Sequence, residues 1–432
     1  MGEEEESSRA IPDGGCKAWT VVFASFMMSF IQDGFSYSFG LLLLPLVEHF
    51  NVGRTEASFT SSVHTFLTIG SSPVAVLLIK KTNHKICSII GSLTAILGLL
   101  ISGTYIQFAP KEYLNIVVIY LTLGVMTGLG LGLIYYPAID VLNSFFDKKL
   151  GTANGFANCG SGIGQMAIAP LITWSLAYYG MAGSLYTIAG LVGFCILFAF
   201  FYTKPEQAGE TEAEDEATLC SVLNDPKFLL ILTSELLWWL AVICALSFTT
   251  DRAVHRGVTD STGSTALLSI MGITSCIGRL VMGPIVDKYK SKILLFASYV
   301  MIILAASVFV SEFLTTWTTQ AVYAGLVGLS MGAKVTSEPV MIQVVFGRRT
   351  ERLSIMNFIA GASGVLGNLL VGQTFDRTGS YTPGFLAAGS LGLVGACLPL
   401  IIFWTSPTSP HQREHEGPEM IEEDAMELEN ML

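Results

Sequence analysis

The chain is short of charge, and the charge it has is of the wrong sign for several functions. Only 13% of its 432 residues are charged while 51% are hydrophobic, which excludes an ordinary soluble domain and points to a polytopic membrane protein. Its 23 lysines and arginines are outnumbered by 34 acids, so no basic surplus exists to hold nucleic acid. Much of the acid is gathered at 3–6, 206–216 and 414–429, runs that read as solvated tails and a linker. The opening MGEEEESSRA has acid where a cleavable signal peptide has base. No Asn-x-Ser/Thr acceptor occurs, so glycosylation marks no outer loop. Glycine strings of the GxGxG type lie inside apolar runs with no strand before them and imply no phosphate cradle. No metal-ligand spacing or nucleophile–base pattern appears; the chain reads as a non-enzyme without cofactor, metal or catalytic residue. Of eight cysteines, Cys159, Cys195, Cys244, Cys276 and Cys397 fall in apolar runs, and Cys16, Cys87 and Cys220 lie beside or in segments read as cytosolic. None falls clearly in an outer loop, and no disulfide is expected.

What the chain does have is apolar runs at about 18–46, 57–79, 86–108, 114–139, 151–175, 181–203, 227–249, 264–286, 292–312, 317–341, 353–375 and 382–404. Each is near the ~20 residues that a membrane-crossing helix needs. The polar stretch 204–226 divides them six and six, giving bundles at 18–203 and 227–404 between acidic tails at 1–17 and 405–432. With both termini cytosolic, thirteen lysines and arginines fall in inner loops and five, Arg54, Lys111, Arg252, Arg256 and Arg377, in outer ones. That is the distribution expected when cationic residues resist translocation.

At an offset of 202 residues, NGFANCGSGIG (154–164) falls on MNFIAGASGVL (356–366), aligning Phe156 with Phe358, Ser161 with Ser363 and Gly162 with Gly364. Each copy follows a basic loop, FFDKKLG or FGRRTER. Coincidental glycine-rich similarity is the competing account. Paired halves of six helices around a central cavity are the architecture of the major facilitator superfamily: an all-α membrane protein of twelve transmembrane helices in two pseudo-symmetric bundles. The glycines of spans four and five, Gly124 to Gly132 and Gly151 to Gly164, read as close helix packing.

Three stretches narrow the likeness. PDGGCKAW (12–19) with GFSYSFG (34–40), FFDKKLGTANGFANCGSGIGQ (145–165) and GQTFDRTGSYTPGF (372–385) together resemble the signatures of the monocarboxylate transporters, the solute carrier 16 family. The resemblance implies a plasma-membrane carrier of small organic carboxylates, and it raises a single-span immunoglobulin-type companion that nothing in this chain identifies. Departures accompany it. Where the family's proton-coupled lactate carriers have a span-one lysine this chain has Leu41, and their span-eight aspartate is replaced by Ser275. Cys16 and Lys17 replace the aromatic-Gly pair of the first signature, whereas Tyr37 and Arg279 are retained. The pattern leans towards the family members that move amino-acid-like or zwitterionic solutes.

Five ionisable residues lie within spans: Asp33, Glu235, Arg279, Lys334 and Glu338. An arginine at the bilayer centre costs at least about 2.5 kcal/mol on insertion scales, so Arg279 is expected to face a cavity and a carboxylate. Either the substrate supplies that carboxylate, in two parallel hydrogen bonds, or another helix does, as a permanent lock. Arg279, Tyr37, Tyr136 and Ser275 are the candidate substrate-binding residues; for Tyr135 and Tyr136 interfacial anchoring competes. Asp33, Lys334, Glu338 and Glu235 are the candidates for coupling or gating. Lys334 and Glu338, four apart, pair on one helical face, as a structural bridge or a gate. Asp33 either neutralises Arg279 or carries a proton, and Glu235 meets either a cationic substrate group or a neighbouring helix. His64 in span two is a relay or a packing residue. Three acids against two bases suit a zwitterion better than a bare monoanion, if all five line one cavity. The reading is a secondary carrier; its rivals are a proton-linked lactate or pyruvate symporter using Asp33, and a carrier-shaped receptor or scaffold.

Overall fold

The computed structural model describes residues 14–110, 114–203, 224–347 and 350–405. The acidic runs, most of the 204–226 linker, Lys111 and the Arg348–Arg349 pair lie outside the described residues. Among those described, the chain is helical and has no strand. Helix α1 runs Cys16–Phe50 through a 3-10 turn at Phe39–Leu42. Helix α2 comprises Arg54–Gly70 and Ser72–Lys81, which meet at a 42° bend after Ser71. Then follow α3 (His84–Phe108) and α4 (Ile116–Ser144), the latter with a π-helical stretch at Tyr120–Met126. The next helical run, Leu150–Ala199, is 50 residues long. At 1.5 Å per residue it would be about 75 Å, more than twice a hydrocarbon core of about 30 Å, so it cannot be one crossing. Gly180, with φ +65°, breaks it into α5 (150–179) and α6 (181–199). The second half comprises α7 (Pro226–His255), α8 (Ser261–Lys288), α9 (Ile293–Val310), α10 (Trp317–Phe346), α11 (Thr350–Thr378) and α12 (Thr382–Thr405).

Nine of the described helical runs are long and apolar enough to cross a membrane, ten with the bent α2 pair. Counting α5 and α6 separately and adding α10, which carries Lys334 and Glu338 and is not among the nine, gives the twelve helices expected from the sequence. Large apolar side chains such as Phe23, Leu97, Leu100, Phe194, Val281, Ile303 and Ile401 point outward, while Gln32, Asn154, Asn158, Gln165, Glu235, Lys334 and Asn368 are buried. This inversion of the soluble pattern fits a lipid surround.

Helices α1–α6 pack as one bundle and α7–α12 as a second, and α5 on α8 and α2 on α11 join them. Glycine sets how closely α5 approaches. Its Gly160 and Gly164 admit the carbonyls of Phe26 and Phe30 on α1, and on another face a Cβ at Gly155 would sit 2.6 Å from the Arg279 carbonyl oxygen of α8. Small residues of this kind are what bring backbones together in lipid, where no hydrophobic force acts between helices.

Two features differ from the sequence expectation. Cys159 and Cys276 are joined in a disulfide, Cα atoms 4.7 Å apart, because the glycine-lined crossing brings α5 and α8 together at that level. Helix α7 also extends beyond residue 249, so Arg252 is not in an outer loop. Its guanidinium is fully buried, bonding Ser311 at 2.6 Å, Glu312 at 2.6 Å and Gln320 at 2.7 Å, over the Phe385 ring at 4.1 Å. Glu312 also takes Arg256, so the buried acid is shared by two arginines.

Candidate functional site

A cavity opens between the bundles and runs towards the face opposite the one where α1 begins and α12 ends. Its walls are unlike. The first bundle contributes hydroxyls and phenols, Ser36, Tyr37, Ser58, Ser61, Thr65, Thr68 and Tyr135; the second contributes Trp239, Ile243, Leu246, Phe248 and Val335. Helical periodicity explains the hydroxyl wall, since Ser58, Ser61, Thr65 and Thr68 recur at three and four residues along one stripe of α2. Asp33 and Asn158 are also in the lining, and Asn368 lies opposite, bonded to Ser62 at 3.1 Å.

Arg279 lies just behind this lining and is 1% exposed. One guanidinium nitrogen donates to the backbone carbonyl of Asn158 on α5, whose residue lines the cavity. Its Nε has no hydrogen-bond partner. Asp33 is within electrostatic reach but makes no ion pair with it; the Asp33 carboxylate instead accepts from the Ser161 hydroxyl. Tyr37 is near both charges. Ser275, one turn before Arg279, is buried with its hydroxyl unpartnered. The structure thus brings Arg279, Ser275, Asp33 and Tyr37 to one place. Tyr136 is elsewhere, buried in a cluster with Leu133, Cys87 and Leu353, and it is Tyr135, one residue back, that lines the cavity. Periodicity separates the two: adjacent residues on α4 point about 100° apart.

Lys334 pairs with Glu338 at 2.7 Å, as four-residue spacing implies, and also with Glu235 from α7. Trp238 and Trp239 stand over the ammonium at 5.0 and 6.0 Å. Glu235 therefore meets a helix partner, not the cavity. Of the five charges that a single-cavity count assumes, only Asp33 is in the lining; Glu235, Lys334 and Glu338 are taken up by their own ion pairs between α7 and α10. His64 is packed, its ring stacked 4.5 Å from that of Phe39 and its Nε2 3.3 Å from the Ser36 hydroxyl.

At the end where α1 begins, the bundles are latched together. The Asp287 carboxylate of α8 accepts from the Gly151 and Thr152 amides at 2.7 and 2.8 Å and from the Thr152 hydroxyl at 2.6 Å. It caps the first turn of α5 from the other bundle, satisfying amides with no intrahelical partner and opposing the positive end of the dipole. Gln343 donates to Asp147 at 2.9 Å, and Lys80 pairs with Glu351 at 3.0 Å. The sequence reading ends the eighth apolar run at residue 286 and gives Asp287, the next residue, no role; the sole signal was an acid just past the end of an apolar run.

Two six-helix bundles around a central cavity, latched at one end and open at the other, define a membrane transport protein, not an enzyme. The Major Facilitator Superfamily model matches residues 19–368 and again 253–421, and the chain belongs to that superfamily. Within it, the chain is similar to Monocarboxylate transporter 4 of Rattus norvegicus, 25% identical over 98% of this chain and 93% of that one. It is likewise 25% identical to Monocarboxylate transporter 12 of Homo sapiens, covering 88% of this chain and 79% of that one, and to Monocarboxylate transporter 13 of Bos taurus, covering 93% of each. These matches support the resemblance read from the signature stretches. Among solved structures, the Major Facilitator Superfamily transporter FucP in the outward conformation aligns with TM-score 0.63 and 15% identity, over 88% of this chain and 98% of that one, a likeness of fold.

Proposed function

We propose that the chain is a secondary carrier of small carboxylate-bearing organic solutes, working by alternating access, with Arg279 as the carboxylate anchor. One observation carries this reading: a guanidinium 1% exposed, its Nε unpartnered, directly behind Tyr37, Asp33 and Asn158 of the cavity lining. A buried donor left unmade costs about 1–3 kcal/mol, more when charged, and a planar carboxylate would satisfy that fork. Tyr37 in the lining and the unpartnered Ser275 hydroxyl one turn before Arg279 are the groups we assign to add single hydrogen bonds. The named relatives support the carboxylate class. The cytosolic placement of both termini is inferred from the distribution of lysine and arginine, and the plasma membrane from the likeness to the monocarboxylate transporters.

Asp33 favours a refinement. An acid in the lining beside the buried base makes a neutral pair of opposite charges, complementary to a solute carrying an amino or guanidino group next to its carboxylate. Tyr37, Tyr135 and Trp239 supply ring faces for the cation.

Counterflow in proteoliposomes, with labelled lactate, pyruvate, creatine and an aromatic amino acid at acid and neutral pH, tests both statements. Arg279→Ala is expected to lower counterflow by about ten- to a hundredfold, the loss of one charge-assisted contact of about 1.5–3 kcal/mol. A variant that reaches the membrane and transports normally removes Arg279 from the mechanism. Lactate uptake that climbs steeply in acid, with the zwitterions excluded, defeats the refinement.

A further inference from the structure

The carboxylate-binding reading leaves one buried ionic cluster without a task. Glu235 on α7 and Glu338 on α10 both bond Lys334, and the three are 1%, 5% and 1% exposed. Two carboxylates on one ammonium sum to a single negative charge in a region without solvent. Among the described residues no second cation pairs with it: α9 has no charged residue over Ile293–Val310, α11 none between Arg352 and Asp376, and α12 none over Thr382–Thr405. Arg279 on α8 keeps its charge, since it bonds only a neutral carbonyl of Asn158, and Asp33 is the acid that balances it. From the first bundle, Tyr135 of α4 is the titratable group that faces Glu338, and it in turn senses Asp33, Tyr37 and Arg279. An uncompensated carboxylate in a protein interior costs several kcal/mol even after relaxation, and the ordinary escape is to take up a proton.

We propose that Glu235, Lys334 and Glu338 form a proton-binding site, in which the two carboxylates share one exchangeable proton around the ammonium. A proton from water adds to one carboxylate oxygen, and the cluster becomes an ammonium, a carboxylate and a carboxylic acid, with no net charge. Trp239 connects the site to the cavity. Its ring is part of the lining, and it stands 6.0 Å from the Lys334 ammonium with its indole side facing Glu235. A solute pressed on that ring bears on the wall of the proton site, which gives a route from cavity occupancy to proton release. The use of the proton in transport rests on the carrier reading; its presence does not, and is measured without any solute.

Infrared difference spectra of the full chain in lipid, stepped between acid and alkaline pH, read the carbonyl stretch of a protonated carboxylic acid, identified by its deuterium shift. The wild type is expected to show the band, and Asp33→Asn to keep it. Glu235→Gln and Glu338→Gln each leave one carboxylate on Lys334, a balanced pair, so each keeps the fold and loses the band. Lys334→Met, which removes the only cation, is expected to enlarge it. A wild type without the band, a band that survives either glutamine variant, or one lost in Asp33→Asn overturns the proposal. Failure here with intact Arg279-dependent counterflow leaves the carrier reading standing.

Discussion

Arg252 and Arg279 are equally sealed, at 0% and 1% exposure, yet their surroundings are opposite. Arg252 has three side-chain acceptors within 2.7 Å, a carboxylate among them, and an aromatic ring beneath it; Arg279 bonds a backbone carbonyl and pairs with no carboxylate, while the Nε of each is left without a partner. The first arrangement is that of a fixture, the second that of a receptor for something not always there. Arg252→Ala would strip Glu312 of its fully buried partner and leave it only Arg256, which is a quarter exposed. Removing one partner of a buried pair costs about 3–5 kcal/mol. The expected outcome is a marked drop in the thermal unfolding midpoint of the detergent-purified protein, with little folded material recovered. A midpoint within a degree or two of wild type would show that the cluster at this end is not what holds α7, α9 and α12 together.

At the scale of elements, the Asp287 cap is the contact most tied to alternating access, because it holds the start of α5 by a residue of the other bundle. Opening that face requires breaking it. Asp287→Asn keeps the shape and removes the charge, a loss of about 1.5–3 kcal/mol for charge-assisted bonds, or about ten- to a hundredfold in the ratio of closed to open forms. Spin labels on the two bundles at that face are expected to show a longer-distance population in the variant; an unchanged distribution would mean that Gln343–Asp147 and Lys80–Glu351 suffice. The helices themselves were legible in the sequence, since each run of about 20 apolar residues has one solution in lipid. Their ends were less so. Helix α7 outruns its apolar run because Arg252 finds acceptors within the bundle, and α5 runs on past residue 175 to a break at the single glycine Gly180, which the separate runs 151–175 and 181–203 had bracketed. The cluster at Lys334 was half legible: four-residue spacing exposes Glu338, but nothing in sequence joins Lys334 to Glu235, 99 residues away. The Cys159–Cys276 bond was illegible for the same reason, as it depends on which faces of α5 and α8 meet.

For the whole molecule, two properties read by different means meet in one experiment. The lysine and arginine distribution leads us to expect the latched face in the cytosol, and the packing puts the cavity mouth, lined by Gly40, Leu43, Ser58 and Phe248, on the opposite face. Among the described residues, Thr55 to Asp376 at 2.5 Å and Asn368 to Ser62 cross between bundles on that side, and the hydroxyl wall of α2 lines the cavity that opens there. A cysteine at Ser61, in a chain whose exposed Cys16 and Cys397 and linker Cys220 are replaced by serine, is therefore expected to react with a membrane-impermeant maleimide on intact cells. A cysteine at the exposed Lys288, beside the latch, is expected to react only after permeabilisation. Labelling at 288 alone in intact cells would invert the orientation. Labelling at neither position until the membrane is opened would place the mouth on the cytosolic side. Because a solute bound over Arg279 stands between Ser61 and the closed end, a transported carboxylate is further expected to slow the reaction at 61 and not at 288.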